Sequence, residues 1–291
     1  MTAKAPPVID AAQIARRSKS NLAFALACLP PARRRDMVSF YAFCRIVDDI
    51  ADEEGFSVKD RRIQLGAWRR MIRGEQSPAN LVARQVVVLP AKYGIEAALF
   101  EEIIDGVSMD LERRRYQTFA ELQEYCYKVA GAVGLISLDI FGVTDPRARD
   151  YAIALGNALQ LTNILRDIRT DWDNGQRLYL PLDDLAAHGY TEDDIAARRY
   201  NPAFLGLMRF EASRAHRFFG EALAAFPRNE SGKLQAAEAM RRVYWALLHK
   251  MECGGFQVYN QRYRLSFPRK AAILLSASWQ GWWHRWRSRH H

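Results

Sequence analysis

The sequence predicts an all-α fold, a single antiparallel bundle of helices. Apolar residues recur with the helical period along nearly the whole chain of 291 residues. Strand signals are almost absent, and the one short β-branched run, at positions 86–88, is followed at once by Leu89 and Pro90. Proline and glycine divide the pattern into about eight to ten segments of roughly 12 to 28 residues. Helices of this length, joined by short breaks, pack most simply as one all-α domain.

The breaks follow from the chemistry of proline, glycine and polar cap residues. Pro31 is expected in the first turn of a helix, because proline is tolerated there. Asp145 is expected to cap a helix that begins at Pro146. Further breaks are expected at 74–80, 173–175, Pro202 and 227–229.

The composition excludes several classes of protein. With 49% hydrophobic residues, the chain is too apolar for a disordered basic protein. Four cysteines, at positions 28, 44, 126 and 253, form no CxxC pair, so neither a zinc module nor a disulfide scaffold is indicated. The best apolar runs reach about nine residues, against the roughly 20 that span a bilayer. The first residues, MTAKAPPVIDAAQIARRSK, lack the apolar centre of a secretory signal.

The net charge of +9, from 42 Lys and Arg against 33 Asp and Glu, calls for an anionic partner. Nucleic acid, a lipid surface and a phosphorylated substrate are the three candidates. The arginines are scattered, with little aromatic interleaving and no recognisable nucleic-acid reader motif. We therefore expect no nucleic-acid partner.

A first acidic cluster lies in YAFCRIVDDIAD, residues 41–52. Asp48 and Asp52 are four residues apart, so on a helix they project from one face, one turn apart. Tyr41 and Arg45 fall on the same face, whereas the neighbouring Phe, Val and Ile side chains belong in a core. Two like charges at this spacing weaken an isolated helix by about a few tenths of a kcal/mol. A divalent cation shared by the two carboxylates would offset that repulsion.

A second cluster repeats the pattern in GNALQLTNILRDIRTD, residues 156–171. Asn163, Asp167 and Asp171 stand at i, i+4 and i+8, and on a helix they form one polar stripe. Gln160 lies within one turn of this stripe, and Arg166 lies beside it.

Two oxygen-rich stripes of this kind suit magnesium-assisted diphosphate chemistry. Mg²⁺ is a hard six-coordinate ion, held by few carboxylates, several waters and substrate phosphate oxygens. Ions between the stripes would clamp a diphosphate and stabilise negative charge as it leaves carbon. Two other interpretations remain. A lone DxxxD pair is usually solvated surface, and a di-iron bundle is the competing metal site, but it needs Glu-x-x-His pairs that none of the six histidines provides.

Four segments, in matching order, resemble the squalene/phytoene synthase family. They are YAFCRIVDDIADE (41–53), YCYKVAGAVGLISLDIFG (125–142), ALQLTNILRDIRTDWDNGQRLYLP (158–181) and RVYWALLHKMECGGFQVYNQRYRLSFPRK (242–270). The resemblance implies the all-α isoprenoid synthase fold, with helices around a central apolar cavity. It also implies head-to-head condensation of two prenyl diphosphates through a cyclopropylcarbinyl diphosphate. The implied domains are an N-terminal extension (1–17), the synthase domain (18–270) and a C-terminal tail (271–291).

The resemblance assigns roles to residues at matching positions. The implied ligands of Mg²⁺, of which more than one ion is expected, are Asp48, Asp52, Asn163, Asp167 and Asp171. The implied catalytic residues are Tyr41, Arg45 and Tyr244. The implied substrate-binding residues are Ser20, Arg45, Gln160, Arg166 and Arg262. Trp172 stands where the family often has a smaller residue, so it is expected to narrow the pocket or to cover it as a lid, without removing the chemistry.

The resemblance favours one product. The segments look most like bacterial presqualene diphosphate synthases of hopanoid pathways, which act on two farnesyl diphosphates and stop at the cyclopropyl intermediate, so NADPH is not expected. Phytoene synthase, acting on two geranylgeranyl diphosphates, and squalene or dehydrosqualene synthase are the alternatives. A non-catalytic lipid-binding or assembly protein with the same fold is the alternative from another class. It should have lost metal carboxylates, and here all of them stand.

Two further expectations concern apolar surfaces. The residues expected to line the hydrocarbon channel are Phe24, Leu26, Val129, Ala130, Val133, Gly134, Leu135 and Leu159. Four of the seven Trp lie within 279–286, among arginines, a composition typical of a membrane interface. We therefore expect a cytoplasmic protein, peripheral on the inner membrane, with downstream pathway enzymes as further partners.

Overall fold

The computed structural model describes residues 11, 25–26, 29–53, 55–112 and 115–273, and within these ranges the chain forms helices and no strand. The helices are α1 (Pro31–Asp52), α2 (Val58–Ile72), α3 (Leu81–Val86), α4 (Leu89–Tyr93), α5 (Ala97–Met109), α6 (Phe119–Cys126), α7 (Ala132–Phe141), α8 (Arg147–Asp173), α9 (Leu182–Ala187), α10 (Glu192–Ala196), α11 (Pro202–Ala225) and α12 (Gln235–Cys253). A π-helical turn (Tyr127–Gly131) joins α6 to α7 without a break. The predicted all-α class is confirmed.

Helix lengths differ from the prediction. The long helices match it, with 22 residues in α1, 27 in α8 and 24 in α11. Four described helices have only five or six residues, namely α3, α4, α9 and α10. The β-branched run at 86–88 spans the end of α3 and the junction with α4; Val86, the last residue of α3, is fully buried, whereas Val88 is 51% exposed. Tertiary context therefore overrides the strand propensity of this run.

Helix starts follow the predicted cap chemistry, with one shift. Pro31 and Pro202 each occupy the first turn of a helix, as expected. The helix expected at Pro146 begins one residue later, at Arg147. The Asp145 carboxylate accepts from the backbone N–H of Arg147 at 3.0 Å and pairs with its guanidinium at 2.8 Å. Asp145 thus performs the predicted capping function for a helix start displaced by one position.

The long helix α8 lies at the centre of the bundle. It packs most extensively against α11, and next against the π turn and α7. The contact with the π turn is backbone to backbone, because Gly156 has no side chain to separate the helices. A Cβ atom at Gly156 would lie 2.7 Å from the carbonyl carbon of Ala130 and 2.7 Å from the amide nitrogen of Gly131. The position of α8 against α6–α7 depends on this close approach.

Gly156→Ala is expected to destabilise the fold. The added methyl group must displace backbone atoms, and overpacking of this kind typically costs about 1–3 kcal/mol. That exceeds the gain in helix propensity of about 1 kcal/mol for replacing glycine by alanine. Urea unfolding followed by circular dichroism would measure the difference.

Gly220→Ala is the matched control. Gly220 is also inside a helix, α11, but a Cβ there would meet nothing within 4 Å. This variant should be more stable than wild type, by up to about 1 kcal/mol. A Gly156→Ala protein as stable as the Gly220→Ala protein would contradict the close packing of α8.

Several predictions concern residues outside the described ranges. These are Ser20, Phe24, most of the N-terminal extension and the tail from residue 274 onward, which carries the four clustered tryptophans. Membrane attachment through that tail therefore stays a proposal. Among the described residues, no helix combines the length and apolar character that crossing a membrane requires.

Candidate active site

The candidate site is a cavity of about 570 Å³ between α1, α5, α7, α8 and α12. Its two ends differ in chemistry. The polar end is lined by Tyr41, Arg45, Asp48, Asp52, Asp110, Tyr125, Gln160, Asn163, Arg166, Asp167, Asp171, Arg177, Tyr179, Tyr244 and Arg262. The rest of the wall is almost entirely apolar and comes mainly from Met, Phe, Val, Leu, Ala and Gly side chains of the same helices.

The first acidic cluster lies on the last turns of α1 and faces the cavity. The Arg45 guanidinium donates to Asp48 at 2.7 Å and to Asp49 at 2.6 Å. Burial raises the pKa of Asp48 to about 6, although its side chain stays 43% exposed to the cavity; the Arg45 charge opposes the shift. The Asp52 carboxylate accepts from Arg177, which follows α8, at 2.6 Å. The ion pair between Asp52 and Arg177 therefore links the first acidic cluster to the segment that follows α8.

The second cluster lies on the last turns of α8. Asp167 pairs with Arg166 and with Arg262, whose Nε lies 3.0 Å from Asp167 Oδ1. Burial raises the pKa of Asp171 to about 8, and the charge of Asp167 acts in the same direction. The Oδ1 atom of Asn163 is buried and has no hydrogen-bond partner within the described residues. Asn163 and Asp171 therefore present oxygen atoms toward the cavity that the surrounding protein does not fully satisfy.

Both clusters lie at helix C-termini, where the helix dipole disfavours negative charge. The last turns of α1 and α8 contain no basic residue. Each helix C-terminus is equivalent to about half a negative elementary charge that acts mainly on the last turn, so Asp52 and Asp171 experience it most, in addition to the repulsion among the carboxylates. Cations must compensate for this field, and Arg45, Arg177 and Arg262 supply part of the compensation.

A tyrosine–aspartate group that sequence reasoning missed completes the polar end. Asp110, which follows α5, accepts from the Tyr125 hydroxyl at 2.8 Å and from the Tyr179 hydroxyl at 2.9 Å. Burial raises the pKa of Asp110 to about 6, while the two tyrosine hydroxyls lower it. Tyr125, Arg177 and Tyr179 lie inside the segments that carry the family resemblance, which was the available signal. Asp110 lies outside those segments.

The structure brings together all the predicted site residues that it describes. Tyr41, Arg45, Asp48, Asp52, Gln160, Asn163, Arg166, Asp167, Asp171, Tyr244 and Arg262 all line the one cavity. Ser20 lies outside the described residues, so its predicted contact stays a prediction.

Three expectations about the channel wall are wrong. Val129, Ala130, Val133, Gly134 and Leu159 do line the cavity. Leu26 and Leu135 are buried at 1% and 2% exposure but do not line it. Leu135 follows Gly134 on α7, and one residue turns a helix by about 100°, so it faces the core behind the wall. Trp172 does not narrow the pocket, because it lies outside the lining, with the Arg115 guanidinium 5.8 Å from its ring centre.

The donor set at the polar end fits a hard, oxygen-bound cation. All five candidate ligands are carboxylates or an amide, and none is a thiolate or imidazole. No three His, Cys, Asp or Glu side chains of the described ranges form a preassembled cage. Mg²⁺ does not need one, since it is usually held by one or two carboxylates together with substrate phosphates and water. The orphan oxygen of Asn163 is a further donor that a cation or its water would satisfy.

Comparison with solved structures defines the class of protein. A dehydrosqualene synthase superposes with a TM-score of 0.80 at 24% identity, covering 92% of this chain and 94% of that one. The squalene synthase HpnC from Alicyclobacillus acidocaldarius superposes with a TM-score of 0.73 at 29% identity, covering 84% of this chain and 93% of that one. The bundle therefore has the isoprenoid synthase fold.

Sequence comparison identifies the family. Residues 15–270 match squalene/phytoene synthase, so the chain belongs to the squalene/phytoene synthase family of prenyltransferases. The 15-cis-phytoene synthase of Synechocystis is 34% identical over 268 residues, covering 86% of this chain and 78% of that protein. The phytoene synthase of Mycobacterium tuberculosis is 31% identical, covering 91% of this chain and 88% of that protein. Head-to-head condensation of prenyl diphosphates follows at the level of the family.

Asp110→Asn should flatten the dependence of stability on pH. The pKa of Asp110 is about 6 in the folded protein, against about 4 for an unfolded chain, so folding favours its protonated form. That contribution is full below pH 4 and is lost as the pH rises through 6. Between pH 5 and pH 8 it amounts to about 1 kcal/mol of unfolding free energy.

Urea unfolding at the two pH values would test this. The loss of stability between pH 5 and pH 8 should be about 1 kcal/mol smaller in Asp110→Asn than in wild type. An equal loss in both proteins would show that Asp110 ionises as it does in an unfolded chain.

Proposed function

We propose that the protein joins two farnesyl diphosphates head to head to form presqualene diphosphate, in a reaction that requires Mg²⁺. The observation that carries the proposal is the pair of carboxylate stripes, Asp48–Asp52 and Asn163–Asp171, at the polar end of a cavity that is otherwise apolar. This arrangement suits an amphiphile with a charged diphosphate head and a hydrocarbon tail. Family membership supports the reaction type, and the donor set supports the metal.

Magnesium would be held by Asp48 and Asp52 on α1 and by Asn163, Asp167 and Asp171 on α8. When bound, it would neutralise the diphosphate and stabilise the negative charge of the leaving group. The raised pKa values of Asp48 and Asp171 agree with such a role, since burial disfavours the charge of both carboxylates and a bound cation would stabilise it.

The arginines and tyrosines would bind the diphosphate from the other sides. Arg45, Arg166 and Arg262 now pair with carboxylates and line the same cavity end. Each guanidinium has several N–H donors, so it can contact a phosphate oxygen as well as its carboxylate. Arg177 joins this group through its pairing with Asp52. The main contribution of these residues to catalysis would be to stabilise the negative charge of the departing diphosphate.

The bond changes are those of an allylic substitution followed by ring closure. The C1–O bond of the first substrate breaks, and diphosphate leaves with the electron pair. The C2=C3 double bond of the second substrate attacks that C1, one proton is lost, and the cyclopropane closes. Loss of diphosphate leaves an allylic carbocation. The apolar wall from Val129 to Gly134 excludes water, which would otherwise react with this carbocation.

The released diphosphate is the favoured acceptor of that proton. Tyr41 and Tyr244 line the cavity and were the tyrosines expected to act. The newly found Tyr125 donates to Asp110, and its burial raises the pKa of the phenol well above 10. A phenol of this kind is a poor base but a good hydrogen-bond donor. We therefore propose that Tyr125 and Tyr179 act as hydrogen-bond donors that hold Asp110 in place at the polar end, and not as bases.

A second candidate is supported by the relatives themselves. The two relatives identified above by sequence comparison are phytoene synthases, at 34% and 31% identity. Their similarity favours two geranylgeranyl diphosphates as substrates. The squalene synthase HpnC, at 29% identity, favours the C15 substrate instead. A non-catalytic role is the least supported, since all five predicted metal ligands stand in the cavity wall.

Product analysis would distinguish these candidates. The purified protein is incubated with farnesyl diphosphate and Mg²⁺, with and without NADPH, and in parallel with geranylgeranyl diphosphate. We expect presqualene diphosphate, identified by mass, in an amount that NADPH does not change. Squalene formed only with NADPH would indicate a squalene synthase, and product from geranylgeranyl diphosphate alone would indicate a phytoene synthase. No turnover of either substrate would overturn the proposed function.

Asp48→Asn and Asp167→Asn should each lower turnover at least about 100-fold, because each removes a charge that the proposed cation needs. Circular dichroism should show unchanged helicity. Asp173→Asn is the matched control on the same helix end, since Asp173 pairs with Arg198 and does not line the cavity. Activity close to that of wild type in Asp48→Asn or Asp167→Asn would contradict the metal assignment.

A further inference from the structure

The loop between α8 and α9, residues 174–181, carries two side chains of the polar end. Its Arg177 guanidinium donates to Asp52 at 2.6 Å, and its Tyr179 hydroxyl donates to Asp110 at 2.9 Å. Both Arg177 and Tyr179 line the cavity. The conformation of this loop therefore determines where one guanidinium and one phenol lie at the polar end.

The loop contains a residue in a strained backbone conformation. Gln176 has a φ angle of 56°, in the left-handed region that residues with a side chain rarely adopt. Such a conformation persists only where surrounding contacts hold it. Gln176 stands directly before Arg177, so a return of its φ angle to an ordinary value would redirect the chain that carries the guanidinium. The position of Arg177 therefore depends on the contacts of Gln176.

Arg115 is a side chain that holds Gln176. Its Nη1 atom donates to the Gln176 carbonyl oxygen at 3.0 Å. Its Nε and Nη2 atoms donate to the two oxygens of the Glu192 carboxylate, at 3.0 and 2.7 Å, in the two-pronged geometry that a guanidinium and a carboxylate favour. Glu192 is the first residue of α10. The same guanidinium therefore ties the strained residue of the loop to a neighbouring helix.

The backbone that follows Arg115 holds the chain just beyond the other end of the loop. The carbonyl oxygens of residues 116–117 accept from the amides of residues 182–183, at 2.9 and 3.1 Å. These backbone bonds and the Arg115 side chain lie on either side of the stretch that carries Arg177 and Tyr179. Of the two contacts, the one made by the side chain can be removed by substitution without changing the backbone.

We propose that Arg115 is a positioning residue that fixes the Arg177 guanidinium at the polar end. It acts through the Gln176 carbonyl and through Glu192, and it does not itself line the cavity. The inference rests on the proposed function, because Arg177 is assigned there to the diphosphate. Its physical reason is orientation, since displacing a group by about 1 Å from the reacting atoms can cost about 100-fold in rate.

The first measurement is the steady-state kinetics of Arg115→Gln with Mg²⁺ and the prenyl diphosphate that wild type turns over. This substitution should lower kcat about 10-fold, because Arg177 then lies away from the charge of the departing diphosphate. KM should change less than about threefold, since the arginines and the cation that bind the ground state remain. Circular dichroism should show unchanged helicity.

A double-mutant cycle with Arg177→Gln tests whether Arg115 acts through Arg177. In the Arg177→Gln protein, adding Arg115→Gln should lower kcat less than about twofold further, because the guanidinium to be positioned is already absent. A role in stability alone would lower kcat by the same factor in both backgrounds. Independent effects would therefore overturn the inference.

A second variant keeps the test decisive if Arg115→Gln does not fold. Glu192→Gln removes the charge that holds the Arg115 guanidinium, and it should lower kcat in the same direction and lose its effect in the Arg177→Gln background. Arg199→Gln is the matched control, because Arg199 also pairs with a carboxylate of α10, that of Asp194, at 2.7 Å. Within the described residues Arg199 makes no hydrogen bond to the loop, so kcat should stay within about twofold of wild type.

Hydrogen exchange gives a measurement that does not depend on activity. The amides of Gln176 and Arg177 donate to the carbonyl oxygens of Trp172 and Asp171, at 2.8 and 2.9 Å. In Arg115→Gln the exchange of these two amides should be at least about 10-fold faster than in wild type, because the strained backbone is released. Arg177→Gln should leave their exchange within about threefold of wild type, since it keeps the Arg115 contact.

The outcomes separate this inference from the proposed function. If wild type turns over neither farnesyl nor geranylgeranyl diphosphate, the proposed function fails. If wild type is active but the two substitutions act independently on kcat, the inference is overturned while the reaction stands. The same holds if the loop amides of folded Arg115→Gln exchange at the wild-type rate.

Discussion

The rest of the site depends on the concentration of negative charge at the C-terminal ends of two helices. Asp48 and Asp52 on α1 and Asp167 and Asp171 on α8 add to the negative ends of the helix dipoles. Such a field is unfavourable unless cations compensate for it. The chain supplies arginines at three of these carboxylates, and Asp171 keeps a pKa near 8. The polar end of the cavity thus keeps negative charge that the arginines compensate only in part, and this is the electrostatic basis of the proposed cation binding.

The second constraint is that this charged end opens into an apolar space. The position of the cavity wall depends on close packing behind it. Because Gly156 has no side chain, α8 contacts the π turn through the backbone. The π turn carries Val129 and Ala130 into the cavity wall, and π segments within helices are frequent at functional sites. Charge at one end and hydrocarbon at the other match the two parts of a prenyl diphosphate.

Local patterns predicted much of the fold and most of the polar site. Residues four apart on a helix share a face whatever the tertiary structure, so the stripes at 48–52 and 163–171 could be read from spacing alone. The short helices were harder to predict, because a helix of five or six residues has too few turns to show a periodic pattern. These are α3, α4, α9 and α10. The channel wall was predicted only in part. Leu135 and Val133 are equally apolar, and only the rotation of α7 decides which of them faces the cavity.

The sequence by itself determined the helical class, the two carboxylate stripes and the membership of the family, because each rests on spacing or on residue type along the chain. Tertiary structure alone decided what meets across the bundle. Asp110 is 15 residues from Tyr125 and 69 from Tyr179, and Arg177 is 125 from Asp52. Pairs so far apart in sequence leave no periodic signal, since their contact depends on how helices pack.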